Sequence, residues 1–126
     1  LDSRDKEALA KLQKMSGGGT HVLFNVAATT ETATLGVASL RKGGKYVVCG
    51  LFGGEIPVSL VPIAQRCIAI QGSYVGTVAE LKEVVALARA GKLKSIPIET
   101  RNLDQVERSL QELKDGKIVG RVVLKM

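Results

Sequence analysis

The stretch that decides the fold is KYVVCGLFGG, residues 45–54, in which a short apolar run passes directly into glycines. Tyr46 to Cys49 contains no polar interruption, which is typical of a strand that is covered on both faces, as in a parallel sheet. Gly50, Gly53 and Gly54 follow at once. The pattern therefore predicts a buried strand whose end requires bare backbone.

A phosphate-binding turn is the first function to consider for these glycines. Such a turn needs GxGxxG or GxxxxGK[ST] directly between a strand and a helix, so that N–H groups at the helix N-terminus face the anion. Neither pattern occurs in the 126 residues. GLFGGEIP leads into a loop with proline, and the GGG at 17–19 follows a helical pattern. The sequence context thus argues against a phosphate cradle at residues 45–54.

Strand and helix patterns alternate on both sides of this stretch. Upstream, the patterns predict a helix from Asp2 or Ser3 to Met15, a strand over 21–27, and a helix from Thr29 or Thr30 that ends at Gly43 and Gly44. Downstream, they predict a loop or single helical turn up to Arg66, a strand over 67–74, a helix over 77–93 with a Thr77–Glu80 capping box, an extended segment over 95–103, a helix over 104–116 and a strand over 118–126. This order predicts an α/β fold with a mostly parallel sheet and flanking helices.

Composition limits the classes of partner. The net charge is +6, but the basic residues are scattered, and aromatic residues make up only 3% of the chain, so we expect no nucleic-acid partner. The apolar runs are too short to span a bilayer. Cys49 and Cys67 lie in apolar runs and are predicted to be small core residues, which favours a cytoplasmic protein. A chain of this length that begins with Leu1 is expected to be a piece of a larger enzyme.

No catalytic or metal-ligating set can be assigned from the residues. His21 is the only histidine, and with two separated cysteines it does not make a convincing tetrahedral metal site. Its position at the start of a strand favours a structural role. Arg121 interrupts the last apolar strand and must reach solvent, pair with an acid or meet an anion; spacing alone favours the pairing.

Three segments carry a resemblance to a known family: LRKGGKYVVCGLFGG at 40–54, IQGSYVGTVAELKEVVALARAGKLK at 70–94 and LQELKDGKIVGRVVL at 110–124. Their order resembles the C-terminal part of the medium-chain, zinc-type alcohol dehydrogenases. The resemblance implies that residues 1–126 are the second half of a Rossmann cofactor domain that lacks the GxGxxG half. It also implies hydride transfer between an alcohol or carbonyl substrate and NAD or NADP, with the zinc ligands outside this chain, which would be inactive alone.

The resemblance also implies roles for individual residues. Val26 and Ala27 are similar to the strand end beside the adenosine, and Gly50 and Leu51 are similar to the residues beneath the nicotinamide ribose. Ser73, Tyr74 and Val75 are similar to the segment whose backbone holds the nicotinamide carboxamide. Arg121 is similar to the arginine that contacts the pyrophosphate. In the family, the strand that matches 67–74 pairs with its twin, so we expect a homodimer through Cys67–Tyr74. Two alternatives stay open, a zinc-free quinone or enoyl reductase of the same superfamily and a non-enzymatic α/β binding or assembly module. The substrate and the choice between NAD and NADP are not determined.

Overall fold

The computed structural model describes residues 2–56 and 58–126. The chain divides into two compact units, Leu1–Val75 and Gly76–Met126. The first unit contains α1 (Ala8–Met15), β1 (Thr20–Asn25), α2 (Thr30–Ser39), β2 (Leu40–Val48), α3 (Leu60–Arg66) and β3 (Ala69–Gly72). Pro57, in the predicted loop before α3, lies outside the described residues.

The three strands of the first unit form one parallel sheet in the order β1-β2-β3. Asn25 pairs with Val48 and Val48 pairs with Gly72, so the last residues of the three strands lie on one line across the sheet. The loops that follow them therefore begin at the same edge, as is general for parallel strands. We call this the carboxyl edge; it consists of residues 26–28, 49–54 and 73–75.

Tyr46 is the centre of the core of the first unit. Its side chain and that of Leu40 are fully buried, and Ala33 is buried in the same cluster. The ring lies against Gly36, where an added Cβ would be 2.7 Å from Tyr46 Cε2. A glycine inside a helix lowers its stability, and the close approach of the tyrosine ring explains why α2 contains one.

The second unit contains α4 (Val78–Arg89), β4 (Ile98–Asn102), α5 (Val106–Lys114) and β5 (Arg121–Lys125), with one 3₁₀ turn at Leu103–Gln105. β4 and β5 pair in parallel as a two-stranded sheet. The predicted capping box is confirmed, because Thr77 Oγ1 accepts from the N–H of Glu80 and Glu80 Oε2 accepts from the N–H of Thr77 at 2.6 Å. Within the described part of the chain, every helix is too short or too polar to cross a membrane.

Two predicted boundaries near the N-terminus are wrong. α1 begins at Ala8 because Asp2 and Asp5 accept hydrogen bonds from the N–H groups of Arg4 and Glu7, each at 2.9 Å, and so offer the backbone an alternative to the helix. β2 begins at Leu40, so Gly43 and Gly44 do not end α2 but lie inside a strand.

The register of β1 and β2 explains where these two glycines lie. Thr20 pairs with Leu40 but Val22 pairs with Lys45, so the ladder is irregular at this point. Gly43 has a φ of +75° within the irregular segment. Glycine takes this conformation without a steric penalty, which is why a strand irregularity resembles a helix end in the sequence.

The core prediction for Cys67 is also wrong. Cys67 ends α3 with a φ of +51° and is exposed, and Cys49 is half-buried. Both thiols are free. Because Cys67 belongs to the end of the helix, β3 starts only at Ala69 and is shorter than the predicted strand over 67–74.

Candidate functional site

Seven of the eight predicted site residues lie at the carboxyl edge of the three-stranded sheet. Adjacent strands are about 4.8 Å apart, so the three strand ends span about 10 Å across the sheet. The residues at this edge are Val26, Ala27, Gly50, Leu51, Ser73, Tyr74 and Val75. The structure thus brings together residues that are almost 50 positions apart in the chain.

Large apolar side chains at this edge are exposed. Val26 and Leu51 are each 78% exposed, Tyr74 is 74% and Val75 is 81%. Phe52, which the sequence analysis did not include, follows Leu51 in the chain and is 83% exposed. Phe52 could have been predicted as a site residue because it is an aromatic residue between Gly50 and Gly53. Clustered exposed apolar residues mark a surface that binds something, since isolated soluble domains rarely leave such a group uncovered.

Backbone donors accompany the apolar side chains. Within residues 2–56 and 58–126, the N–H groups of Leu51, Tyr74 and Val75 donate no hydrogen bond to the protein. The N–H of Ser73 is different, because it donates to the carbonyl oxygen of Val48 at 2.9 Å. The edge can therefore hydrogen-bond an acceptor on a ligand through Leu51, Tyr74 or Val75, but not through the N–H of Ser73 in this arrangement.

The backbone at Val75 is strained. Its φ is +49°, in the left-handed region, where a β-branched residue is a genuine outlier. Ala28, in the loop after β1 on the far side of β2, has a φ of +56°. Strained residues of this kind concentrate at binding and catalytic sites, where the surrounding structure holds them in place.

Gly50 has a structural reason to be glycine. An added Cβ would lie 2.6 Å from the carbonyl carbon of Val26 and 2.7 Å from that of Ala27, and it would also overlap the carbonyl oxygen of Val26. The side of Gly50 that lacks a side chain is thus filled by protein backbone. Gly54 is similar, because its added Cβ would lie 2.5 Å from the backbone nitrogen of Thr30.

Open space lies beside Gly53 within this edge and beside Gly72, which directly precedes residues 73–75. A Cβ added to Gly72 would have no neighbour within 4 Å, and Gly72 is the last residue of β3. Bare backbone with free space above it is what a flat ring needs in order to approach a sheet closely. The carboxyl edge therefore keeps room for a ligand next to the donors of Tyr74 and Val75.

Arg121, the eighth predicted residue, lies in the second unit. It is the first residue of β5, its N–H donates to the carbonyl oxygen of Pro97 at 2.9 Å, and its side chain is exposed. Among the described residues, no salt bridge involves Arg121. The pairing with an acidic residue, which its position in the sequence favours, is therefore not found there. The guanidinium is available to an anion.

Arg121 also borders a cavity of about 220 Å³ between α5 and β5. The apolar part of the lining includes Val106, Leu110, Ile118 and Val122. The cavity thus combines apolar walls with one cation at its margin.

The strongest ionic cluster of the second unit is a paired one. Arg101 contacts Glu99 and Glu112, each at 2.8 Å, and Glu112 also contacts Arg108 at 2.8 Å. Hydrogen bonds from Arg108 and then Arg101 lower the pKa of Glu112, and the one from Arg101 lowers the pKa of Glu99. Because ion pairing accounts for these shifts, the cluster is structural and suggests no acid–base catalyst.

The described residues do not fit a zinc site. They contain no group of three or more histidine, cysteine, aspartate or glutamate residues that could hold a metal ion. The ring of His21 is engaged, since its Nε2 lies 2.7 Å from Nη1 of Arg41. A guanidinium only donates, so His21 Nε2 accepts this bond, and the pair links β1 to β2.

Comparison with known proteins identifies relatives of the whole chain. A family model described as zinc-binding dehydrogenase matches residues 1–90. An alcohol dehydrogenase from Geobacillus stearothermophilus is 31% identical over 109 residues, which are 86% of this chain and 32% of the relative. An NAD-dependent alcohol dehydrogenase from Sulfurisphaera tokodaii is 26% identical over 125 residues, which are 98% of this chain and 36% of the relative.

A solved structure supports the same assignment. The alcohol dehydrogenase from the hyperthermophilic archaeon Aeropyrum pernix matches with a TM-score of 0.86 at 26% identity over 100% of this chain and 36% of its own. The resemblance and the Rossmann-type α/β fold are therefore confirmed. The chain spans about a third of the length of the curated relatives that it matches. Since the family model covers more than half of its residues, this chain belongs to the zinc-binding dehydrogenase family.

Proposed function

We propose that this chain is the C-terminal portion of the cofactor domain of an NAD-dependent alcohol dehydrogenase and lines the nicotinamide side of the cofactor site. The observation that carries the proposal is the carboxyl edge, where exposed apolar side chains accompany unused backbone N–H groups and the open face of Gly72. In open parallel sheets, ligands bind outside the carboxyl ends of the strands. A relative that matches 98% of the chain is described as NAD-dependent, which supports a dinucleotide as the ligand of this edge.

Each strand end has a separate part in the proposal. Val26 and Ala27 lie beside the adenosine, and Gly50 and Leu51 support the nicotinamide ribose. Ser73, Tyr74 and Val75 form the segment that holds the carboxamide, with the N–H groups of Tyr74 and Val75 as the available donors. When bound, the nicotinamide would supply the hydride-transfer chemistry, and residues 73–75 would fix which face of its ring meets the substrate.

Arg121 is the proposed partner of the pyrophosphate. Its exposed guanidinium has no acidic partner among the described residues. A planar guanidinium donates two parallel hydrogen bonds to phosphate oxygens, which a lysine cannot do. We assign NAD rather than NADP because a relative that matches 98% of the chain is described as NAD-dependent.

The proposal places the zinc ligands outside this chain and makes a small alcohol or carbonyl compound the substrate. It also includes a homodimer formed through the segment Cys67–Tyr74, because β3 is the last strand of its sheet and all four of its residues are exposed. An uncovered edge strand is a template for pairing with another strand. Two free thiols favour the cytoplasm. No nucleic acid and no membrane belong to the proposal.

The test uses the full-length protein that carries this chain, titrated with NADH and assayed for alcohol-dependent reduction of NAD. We expect Arg121→Ala to weaken NADH binding about tenfold, a loss of about 1.4 kcal/mol. The loss should shrink at high salt, where charge contacts are screened. Arg89→Ala is the matched control, because Arg89 is also exposed and unpaired among the described residues of the second unit.

Each result separates the alternatives. Equal affinities for Arg121→Ala and Arg89→Ala would remove Arg121 from the site. Turnover of a quinone or an enoyl substrate without bound zinc would identify the zinc-free reductase instead. A wild-type protein that binds neither NADH nor NADPH would favour the non-enzymatic module.

A further inference from the structure

We propose that Asn25 is a positioning residue for the bound dinucleotide, because it holds the ends of β1 and β2 in one arrangement. The inference rests on the proposed function and extends it to a buried side chain at the end of β1. Asn25 is the last residue of β1 and is only 5% exposed. Its amide and its backbone carbonyl each make two or more hydrogen bonds, to four different parts of the first unit.

The side-chain oxygen of Asn25 holds the turn that follows β1. Oδ1 accepts hydrogen bonds from the N–H of Ala27 at 3.1 Å and from the N–H of Ala28 at 2.7 Å. Backbone N–H groups only donate, so these contacts fix which side-chain atom is the oxygen. Ala28 has a φ of +56°, a conformation that is unfavourable for a residue with a Cβ. The two bonds stabilise this turn and thereby place Val26 and Ala27.

The side-chain nitrogen ties the same turn to the core. Nδ2 donates to the hydroxyl of Tyr46 at 2.6 Å and to Oγ1 of Thr32 at 3.1 Å. Tyr46 is fully buried in β2. Thr32 lies in the first turn of α2 and accepts from the N–H of Thr29 at 3.1 Å. The turn after β1 is thus fixed to both a strand and a helix.

The backbone carbonyl of Asn25 holds the second strand end. It accepts from the N–H of Cys49 at 2.9 Å and from the N–H of Gly50 at 3.0 Å. Gly50 comes close enough for this because it has no Cβ to meet Val26. A dinucleotide that contacts both strand ends needs them at a fixed separation, since hydrogen-bonded contacts tolerate only a few tenths of an ångström.

The experiment measures the dissociation constant for NADH and the urea unfolding curve of the full-length protein. Asn25→Leu removes every side-chain hydrogen bond at similar volume, and we expect about tenfold weaker NADH binding. Asn25→Asp is the rescuing variant. Its carboxylate still accepts from the N–H groups of Ala27 and Ala28 and can accept from the hydroxyl of Tyr46, but it cannot donate to Thr32, so affinity should lie between those of Asn25→Leu and wild type.

A matched control separates positioning from stability. Ser39 is fully buried, and its Oγ donates to the carbonyl oxygen of Gly36 at 2.8 Å, but it lies next to Leu40 at the opposite edge of the sheet. Ser39→Ala should lower stability and leave NADH affinity unchanged. If Asn25→Leu does not fold, Tyr46→Phe replaces it, since it removes one hydroxyl and should weaken binding about threefold or more.

Three outcomes overturn the inference. The network does not position the cofactor if Asn25→Leu and Tyr46→Phe both bind NADH with wild-type affinity. If Asn25→Leu does not fold, wild-type affinity in Tyr46→Phe leads to the same conclusion. The effect is one of stability alone if Ser39→Ala and Asn25→Leu are equally stable and lose equal affinity for NADH. A wild-type protein that binds neither NADH nor NADPH overturns the proposed function together with the inference, so the two failures are distinguishable.

Discussion

Replacing Gly50 with alanine tests whether this glycine serves the fold or only a cofactor. The new Cβ would lie 2.6 Å from the carbonyl carbon of Val26 and 2.7 Å from that of Ala27. An ordinary carbon–carbon contact is about 3.5–4.0 Å, so the strand ends would have to separate by about 1 Å. No side-chain rotation relieves this overlap, because both atoms belong to a backbone held by Asn25. Overpacking costs about 1–3 kcal/mol, and we expect the upper end of that range.

The assay is urea unfolding of the full-length protein without cofactor, with Gly72→Ala as the matched control. Gly72 also ends a strand of the same sheet, but a Cβ there meets nothing within 4 Å. We expect Gly72→Ala to stay within about 0.5 kcal/mol of wild type and Gly50→Ala to unfold at a urea concentration lower by about 1 M or more. If both variants unfold with the wild type, the steric argument is refuted and cofactor contact remains the only reason for glycine at position 50.

The second unit offers further predictions. Thr77→Ala removes the side-chain acceptor for the N–H of Glu80, one half of the capping box of α4, and should lower the free energy of unfolding by about 1 kcal/mol in urea denaturation. Hydrogen bonds from the N–H and then the hydroxyl of Thr77 lower the pKa of Glu80, so their stabilisation is present above the ordinary glutamate pKa of about 4.3 and is lost as the pH falls through the lowered pKa. The side chain in Glu80→Gln does not titrate, so its difference in unfolding free energy from wild type should shrink over that fall; a constant difference would contradict the carboxylate half of the box. Arg101→Met should lower the urea midpoint more than Arg108→Met, because the side chain of Arg101 is 11% exposed and that of Arg108 is 70%; equal midpoints would argue against a structural role for the Arg101 pairs with Glu99 and Glu112.

The features that could be predicted from the sequence are those that neighbouring residues encode. Thr77 caps α4 as predicted, because a capping box needs only residues three positions apart. Of the two predicted candidates for the cap of α2, Thr29 and Thr30, the structure has Thr29. The apolar run from Tyr46 predicts a buried parallel strand, and the alternation of elements predicts the carboxyl edge. The exact start of β2 could not be predicted, since Gly43 marks a strand irregularity with the same signal that ends a helix.

The physical basis of the site was less accessible, because its contacts join distant parts of the chain. The hydroxyl that binds Asn25 belongs to Tyr46, which is 21 positions away. The backbone that fills the space beside Gly50 belongs to Val26 and Ala27. Nothing in the local pattern around Asn25 distinguishes it from a polar residue at the solvent end of a strand. The resemblance to a family predicted which residues at the carboxyl edge face the cofactor, but it did not predict the contacts that hold these residues in place.

Gly50, which ends KYVVCG, and Asn25, which ends β1, together form the contact between the ends of β1 and β2. Gly50 supplies the space, and Asn25 supplies the acceptor for the N–H groups of Cys49 and Gly50. All of these atoms belong to the protein, so the separation of the two strand ends is set before any cofactor binds. Binding to a preorganised surface avoids the cost of ordering it. The exposed side chains of Val26 and Leu51 are then left for the ligand, held on a backbone that the protein has already fixed.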